Sequence, residues 1–494
     1  MSMDFEVERV DIGTETPTVL LNRRDADELG ANPLDRIVIR GEDETVTGIV
    51  EVTENIVDRG VLGATEGLAS LEGGVEVSLA PKSGSVSCVR KKLEDEELED
   101  DEIRRLVEDI DHNMLNDIEL GAYVSAIYAN GLSMSETRSL TEHMTAAGDK
   151  LEWSDNVIAD KHSIGGVAGN RVTPIVVPLV AAAGAKIPKT SSRAITSPAG
   201  TADTLEVFCE VEFTKSRIKE IVEETNGCMV WGGSVDLSPV DDRIIRAENP
   251  LSIDPEGQVI ASVLSKKKSA GSTHLVLDIP YGEGAKVRDL SEAREMAQDF
   301  KRVSEYIGIE TECTITRGGS PIGRGIGPVL EARDVLGVLK GEGPEDLRVK
   351  SLRLAEILLE ICGVEASPRR LLDSGEALEK FHELIEAQDG DPEMTRDELV
   401  PGRHSFDFEA KRSGYVTHID NELISGVARR AGAPHDKKAG IYLEAEVGDD
   451  VSQGDVLFTA HAEKREKLNE AEEFSEARRP VRVGDRGESL VERV

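Results

Sequence analysis

Apolar positions recur with two different periods along this chain, and the change of period divides it. Up to residue 84 they come in short runs, Val19-Leu20-Leu21, Arg36 to Ile39 and Thr45 to Val52, punctuated by Gly30, Gly41, Gly60 and Gly73-Gly74. That pattern predicts a β-rich module with one brief helix over Asp25 to Leu29. Lys91 to Asp101 is a charged bridge that predicts the start of a helix. Beyond it Ile103, Leu106, Val107 and Ile110 are spaced i, i+3, i+4, i+7, the stripe of an amphipathic helix. Asp117 is placed to cap a second helix through Tyr128, and Ser133 with Glu136 has the spacing of a capping box for a third.

Strand and helix signals then alternate. Val157 to Ala159 is a short apolar run closed by Asp160, and Val172 to Ala183 is a longer one. Thr273 to Ile279 predicts a buried strand, Ser291 to Ile307 a helix, and Glu310 to Ile315 a strand. The loop Gly318 to Gly327 leads to a helix over Val329 to Leu339, and two more helical stretches follow near 347–361 and 374–387. From residue 403 short apolar runs alternate with Gly turns, and the last thirty or so residues read as a charged helix and tail. Together these predict a multidomain α/β fold. Its parts are a β-rich N-terminal module (1–84), suited to assembly, and a helical domain (85–155) joined by part of 235–270. A large α/β domain with a mixed sheet (156–340), a helical connection (341–402) and a C-terminal α+β domain (403–494) complete it.

Charge narrows the partners. The 494 residues include 96 Asp and Glu against 58 Lys and Arg, a net charge of -38. Such a surface repels nucleic-acid polymers and anionic membranes, and it suits a halophile, where molar salt shortens the screening length to about 3 Å. No stretch approaches the roughly 18 apolar residues of a membrane span. The acidic N-terminus MSMDFEVERVDIG lacks the apolar core of a secretory signal, so a cytoplasmic protein is expected. The five cysteines form no C-x-x-C pair, which disfavours a zinc site or a disulfide framework.

The chemistry concentrates in two turns. Asp160 to Asn170 reads DKHSIGGVAGN and Thr190 to Glu206 reads TSSRAITSPAGTADTLE. Each follows a strand signal and opens a helix signal, so backbone N–H groups and hydroxyls converge where an anion can be held. Lys161, Ser163, Ser191 and Thr201 add charge and donors, and the pair suggests one phosphate or two. Neither turn is a Walker A loop or a dinucleotide G-x-G-x-x-G.

These turns resemble the signature loops of the pyrimidine-nucleoside phosphorylase family. The resemblance continues through DPEGQVIASVLSKKK at 254–268, GEGAK at 282–286 and PIGRGIGPVLEA at 321–332, and covers roughly residues 90 to 470 in order. Within the family the chain is most similar to its archaeal AMP phosphorylase branch. The 84-residue extension is present. Ala194 and Ser197-Pro198-Ala199 replace the glycines and His-Thr-Gly of thymidine enzymes. The arginine expected a few residues before Asp254 is absent, with Arg243 and Arg246 out of register.

The resemblance implies phosphorolysis of AMP to adenine and ribose 1,5-bisphosphate, with CMP and UMP as further substrates and no metal or organic cofactor. It assigns Lys161, Ser163, Ser191 and Thr201 to inorganic phosphate. Gly169, Ile195, Thr196, Ser197, Pro198, Ala199, Gly200, Thr204, Ser262 and Lys286 fall to the nucleotide, and Asp254 to proton donation. It also implies a homodimer, built through the helical domain, or a larger homo-oligomer. Read from pattern alone, Asp254 is a helix cap before Val259 to Ser265, Ser262 is incidental on its helix, and Lys286 is a loop lysine. His162 reads as a structural hydrogen-bonding residue, Lys266 as the lysine of its run that points inward, and Gly323-Arg324-Gly325 as a packing turn. The alternative function is a thymidine or uridine phosphorylase.

Overall fold

The computed structural model describes residues 2–14, 16–42, 44–68, 70–81, 83–194, 197–235 and 237–485. The chain forms two compact units, Met1–Gly148 with Ser238–Ser262, and Asp149–Leu237 with Val263–Val494.

In the first unit, strands β1 (Ser2–Arg9), β2 (Thr18–Asn22), β3 (Arg36–Arg40), β4 (Thr45–Thr53), β5 (Val61–Ala64) and β6 (Gly74–Leu79) close into a barrel in the order β1-β5-β2-β4-β3-β6. Alternate residues point inward, so Val19, Leu21, Ile37, Ile39, Leu62 and Val77 are fully buried. Helix α1 (Arg23–Leu29) leaves β2 and ends at Gly30, whose φ of 77° suits a left-handed cap.

Helices α2 (Val86–Leu93), α3 (Asp100–Asp111), α4 (Asp117–Asn130) and α5 (Met134–Ala147) follow. The Ile103, Leu106, Val107, Ile110 stripe packs a core shared with Val240 and Ile244 of α9 (Pro239–Glu248) and Ala261 of α10 (Glu256–Ser269). The Ser133–Glu136 capping box forms. Two expectations change. Lys91 to Asp101 is not a helix start: it carries the end of α2, an irregular link and the first turn of α3. Asn116 rather than Asp117 caps α4, because its extended backbone lets Oδ1 accept from Glu119 N at 2.9 Å. Asp117 is then the first helical residue, where a carboxylate favours the positive end of the helix.

The second unit centres on strands β7 (Ala159–Ser163), β8 (Ile187–Ser191), β9 (Gly227–Trp231), β10 (His274–Tyr281) and β11 (Glu310–Arg317). They pair as β11-β10-β7 and β8-β9, joined by one bridge between Ile158 and Lys186. Every pairing is parallel, so the mixed sheet expected here is corrected to a parallel one. Helices cross between successive strands: α6 (Thr173–Ala182), α7 (Thr201–Leu205) and α8 (Lys215–Thr225), then α9 and α10, then α11 (Leu290–Tyr306). Helix α6 is apolar all round because it is enclosed, sharing a core with α12 (Pro328–Leu339), α13 (Glu345–Ile361), α14 (Pro368–Asp373) and α15 (Glu376–Ala387).

The C-terminal part pairs β12 (Gly325–Ile326), β15 (Gly440–Leu443), β17 (Val456–Ala462) and β13 (His404–Glu409) antiparallel. A second small sheet joins β16 (Asp450–Val451), β14 (Gly414–Ile419) and β18 (Val481–Gly484). Helices α16 (Asn421–Ala431) and α17 (Arg465–Arg478) pack on them. Among the described residues no helix is long and apolar enough to cross a membrane.

Candidate active site

The strand order places a topological switch between β7 and β10: from β7 the chain winds outward through β8 and β9, then returns to β10 on the other side. Open parallel sheets bind ligands beyond the carboxyl ends of the strands at such a point. Ser163 ends β7, and Asp278 is its register partner on β10. Both signature loops leave this edge, one after Ser163 and the other after Ser191 at the end of β8. Asp160, Lys161 and His162 lie within β7 itself, not in a turn as the motif suggested, so Lys161 is anchored by sheet pairing.

Backbone proximity explains the glycines. A side chain at Gly169 (φ +70°) would put its Cβ 2.3 Å from the Ile322 carbonyl, and one at Gly166 (φ +83°) would come 2.5 Å from Lys286 N. The 164–170 loop is thus pressed between the GEGAK and PIGRG loops. Asn421 ties it down, accepting from Ala168 N at 3.1 Å and donating to Gly318 O at 2.9 Å. The PIGRG loop is a packing turn, as its sequence suggested. Asp334 Oδ2 accepts from both Arg324 N and Gly325 N at 2.7 Å, and burial raises that carboxyl to about 6.

Cationic charge gathers at the switch point. Lys161 is 3% exposed, and among the described residues its ammonium has no hydrogen-bond partner. Burial lowers its pKa to about 7; Asp278 opposes the shift, while Lys350, Arg171 and Lys267 add to it. Asp278 is engaged elsewhere: it accepts from Ser163 Oγ and Thr316 Oγ1 at 2.6 Å and lies 2.8 Å from Lys350 Nζ. Burial would raise this carboxyl, but Lys350 and then Lys161 outweigh it and hold it below the usual range. Asn170 Nδ2 donates to Ser163 Oγ at 3.1 Å, while Asn170 Oδ1 and Ser191 Oγ are buried without a partner. A buried lysine with no hydrogen-bonded counter-ion, and hydroxyl and amide oxygens left unpaired in the same two loops, leave polar groups that an anion with its own acceptors and protons can satisfy.

His162 does not hold the structural hydrogen bond expected of it. Its ring makes none among the described residues, and burial, then Lys267, Lys189, Lys161 and Lys266, keeps it neutral by pushing its pKa well down. Lys267 is the most buried lysine of its run, 3% exposed, with Nζ 3.0 Å from Asp160 Oδ2. The helical repeat of α10 turns that position toward β7, where Ser272 Oγ also donates to Asp160 at 2.8 Å.

The second loop is fastened by side chains the motif concealed. Asp203 Oδ2 accepts from Ala194 N and Gly200 N at 2.7 Å. Arg171 donates to Thr201 Oγ1 at 3.0 Å, to the Ala199 carbonyl at 2.9 Å and to Glu331 Oε2 at 2.5 Å. Ser197 Oγ donates to the Ala199 carbonyl at 3.0 Å, and Pro198, Ala199 and Gly200 are buried. Thr204 is fully buried and donates to Glu331 Oε2 at 2.8 Å. Ile195 and Thr196 lie outside the described residues.

Of the remaining candidates, Lys286 is exposed on the GEGAK loop. Asp254 and Ser262 belong to the first unit. Asp254 is exposed and stands two residues before the first residue of α10. Pro255 occupies the cap position, its carbonyl accepting from Val259 N at 2.9 Å. Ser262 Oγ donates to Asp241 Oδ2 at 2.8 Å, so it is more than incidental on its helix. Arg243 is bound to the Ile110 and Asp111 carbonyls at the end of α3.

Sequence reasoning passed over Arg171, Asp203, Asp278, Glu331 and Lys350. Arg171 directly follows the first motif and Asp203 lies inside the second, so both were open to notice. Lys350 is indistinguishable by sequence from a solvated lysine on an amphipathic helix.

Three stretches match known family descriptions. Residues 86–148 match the glycosyl transferase family helical bundle domain, and residues 155–342 the glycosyl transferase family a/b domain. Residues 415–479 match the pyrimidine nucleoside phosphorylase C-terminal domain. The fold is similar to that of anthranilate phosphoribosyltransferase from Thermus thermophilus, with a TM-score of 0.52 at 19% identity, covering 61% of this chain and 99% of that one. Among sequence relatives, the AMP phosphorylase of Natronomonas pharaonis is 55% identical over 99% of this chain and 100% of its own. The AMP phosphorylase of Thermococcus kodakarensis is 44% identical over 97% and 98%, and AMP phosphorylase 1 of Archaeoglobus fulgidus is 43% identical over 97% of each. With such identity sustained from end to end, the chain belongs to the AMP phosphorylase family.

Proposed function

We propose that this protein cleaves nucleoside 5′-monophosphates by phosphorolysis, converting AMP and inorganic phosphate into adenine and ribose 1,5-bisphosphate, with CMP and UMP as further substrates. The observation that carries this reading is the buried Lys161 ammonium, without a hydrogen-bond partner among the described residues, on a strand of a parallel sheet whose neighbour ends at the orphaned Ser191 hydroxyl. In this reading Lys161, Ser163, Ser191 and Thr201 hold inorganic phosphate. The nucleotide is held by Gly169, the 195–200 loop, Thr204, Ser262 and Lys286. Breaking the N-glycosidic bond leaves positive charge on the ribose and negative charge on the base. The bound phosphate stabilises the first and attacks C1′, and Asp254 protonates the departing base.

The match of residues 415–479 to the pyrimidine nucleoside phosphorylase C-terminal domain favours a second reading, cleavage of thymidine or uridine. Incubation in molar KCl with AMP, CMP, UMP, thymidine or uridine, with and without phosphate, separates the two. Phosphate-dependent release of adenine with formation of a doubly phosphorylated ribose supports the first. Far faster cleavage of thymidine or uridine replaces it with the second.

We also propose a cytoplasmic homo-oligomer paired through the helical domain, with residues 1–84 serving assembly. Helix α4 supports this: Ile118 and Tyr128, 70% and 59% exposed, share its outer face with the exposed Ser125. Sedimentation of the full chain and of Ile118→Glu tests it, and a monomeric full chain sinks it.

A further inference from the structure

Thr201 is a hydroxyl with a decided orientation. Its Oγ1 accepts from Arg171 Nη1 at 3.0 Å, and among the described residues its own proton goes to no partner. The side chain is half-buried, so the proton is open to a ligand. Ser163 differs: without a ligand its proton goes to Asp278 at 2.6 Å, so it reaches a phosphate only by exchanging that bond. A hydroxyl helps to hold an anion by donating, and a donor on one of its two lone pairs restricts its rotation and strengthens that donation.

Arg171 supplies that donor and is itself immobilised. Nε is bound to Glu331 Oε2 at 2.5 Å, and Nη2 to the Ala199 carbonyl at 2.9 Å. Arg171 is 11% and Glu331 1% exposed at the side chain. Glu331 is held in turn by Thr204 Oγ1 at 2.8 Å and by Gly327 N at 3.3 Å. The guanidinium therefore follows the first signature loop in sequence and grips the second at two points. Its planar fork makes three contacts with fixed mutual geometry, which an ammonium cannot reproduce.

We propose that Arg171, anchored by Glu331, is a positioning residue for the phosphate site: it occupies the Thr201 lone pair so that the Thr201 hydroxyl donates to bound inorganic phosphate. This rests on the reading of Thr201 as a phosphate ligand given above.

The test is a double-mutant cycle on phosphate affinity, using Arg171→Met, Thr201→Val and the pair, with inorganic phosphate titrated calorimetrically and KM for phosphate and kcat measured in molar KCl. Thr201→Val should weaken phosphate binding about 10- to 150-fold, the scale of one hydrogen bond to a charged group. Arg171→Met should weaken it by at least as much. In the Thr201→Val background, the Arg171→Met step should cost less than about half of what it costs alone. Equal cost in both backgrounds overturns the proposal, because Arg171 would then act by another route. No effect of Thr201→Val alone overturns the phosphate-ligand reading of Thr201 and the proposal with it, an outcome distinct from the first. Arg171→Lys should rescue folding but not phosphate affinity; full rescue of affinity would show that charge suffices and overturn the fork geometry. If Arg171→Met fails to fold, Glu331→Gln carries the same cycle. It loosens the anchor while keeping the volume, and independence from Thr201 there overturns the proposal equally.

Discussion

Lys350 Nζ lies 2.8 Å from Asp278 Oδ2, and this pair adds to burial in setting the state of a third residue, Lys161. Asp278 is the buried carboxylate that most favours a charged Lys161, yet it is already engaged by Lys350 and two hydroxyls. Lys161 is left as a buried ammonium waiting for an anion, its pKa lowered to about 7.

Phosphate affinity should therefore fall as pH rises through the neutral range. In the free protein Lys161 is mostly charged below pH 7 and mostly neutral above it. Binding a phosphate above that point requires taking up a proton first, so the phosphate Kd should weaken by up to about tenfold per pH unit. Titration across the neutral and mildly alkaline range checks this, with Lys161→Met as the reference that lacks the step. A Kd slope unchanged between the two proteins removes Lys161 from the site.

The same shift makes a stability statement of definite sign. A lysine whose folded pKa is lowered binds fewer protons folded than unfolded between about 7 and its ordinary 10.5. Without phosphate, stability should then rise with pH across that window through this group, and the penalty is complete below the folded pKa. Lys161→Met should raise the Tm on the acid side of the window and lose that advantage toward its alkaline end. A lower Tm on the acid side would contradict the burial of an uncompensated charge.

Removing Lys350 should move both properties. Lys350→Met frees Asp278 to pair with Lys161, so the Lys161 pKa rises and its ammonium is diverted from phosphate. KM for phosphate should increase several-fold with its pH inflection shifted upward. An unchanged inflection would show that the Lys350–Asp278 pair does not set the charge of Lys161.

Asp254→Asn separates proton donor from helix cap. Loss of a general acid lowers kcat by roughly 10²- to 10⁴-fold with little change in AMP affinity. Asn keeps the volume and the accepting oxygen of Asp and caps a helix nearly as well, so the Tm should change little under either role. Near-normal kcat rules out the donor role.

With a net charge of -38, the fold should lose stability when KCl falls from molar to tens of millimolar, as self-repulsion loses its screening. A Tm flat across that range would argue against a salt-adapted surface.

Local chemistry was legible in the sequence wherever a few consecutive residues carry the whole signal. The Ile103 to Ile110 stripe, the Ser133–Glu136 box, the strand around Leu275 and the two signature loops are of this kind, because helical period, capping geometry and Gly-dependent backbone turns are settled within one or two turns of chain. Fold class followed from their alternation. Tertiary structure alone decided what those residues do electrically. Lys161 and Lys350 are far apart in the chain, and nothing local makes one a paired lysine and the other an unpaired one; their common neighbour Asp278 does that. Likewise Lys267 faces Asp160, and Arg171 meets Thr201 and Glu331, only once the parallel sheet is assembled. Sequence specifies which groups are present, but burial and the distance between charges set their protonation and their hydrogen-bond direction, and both are properties of the folded core.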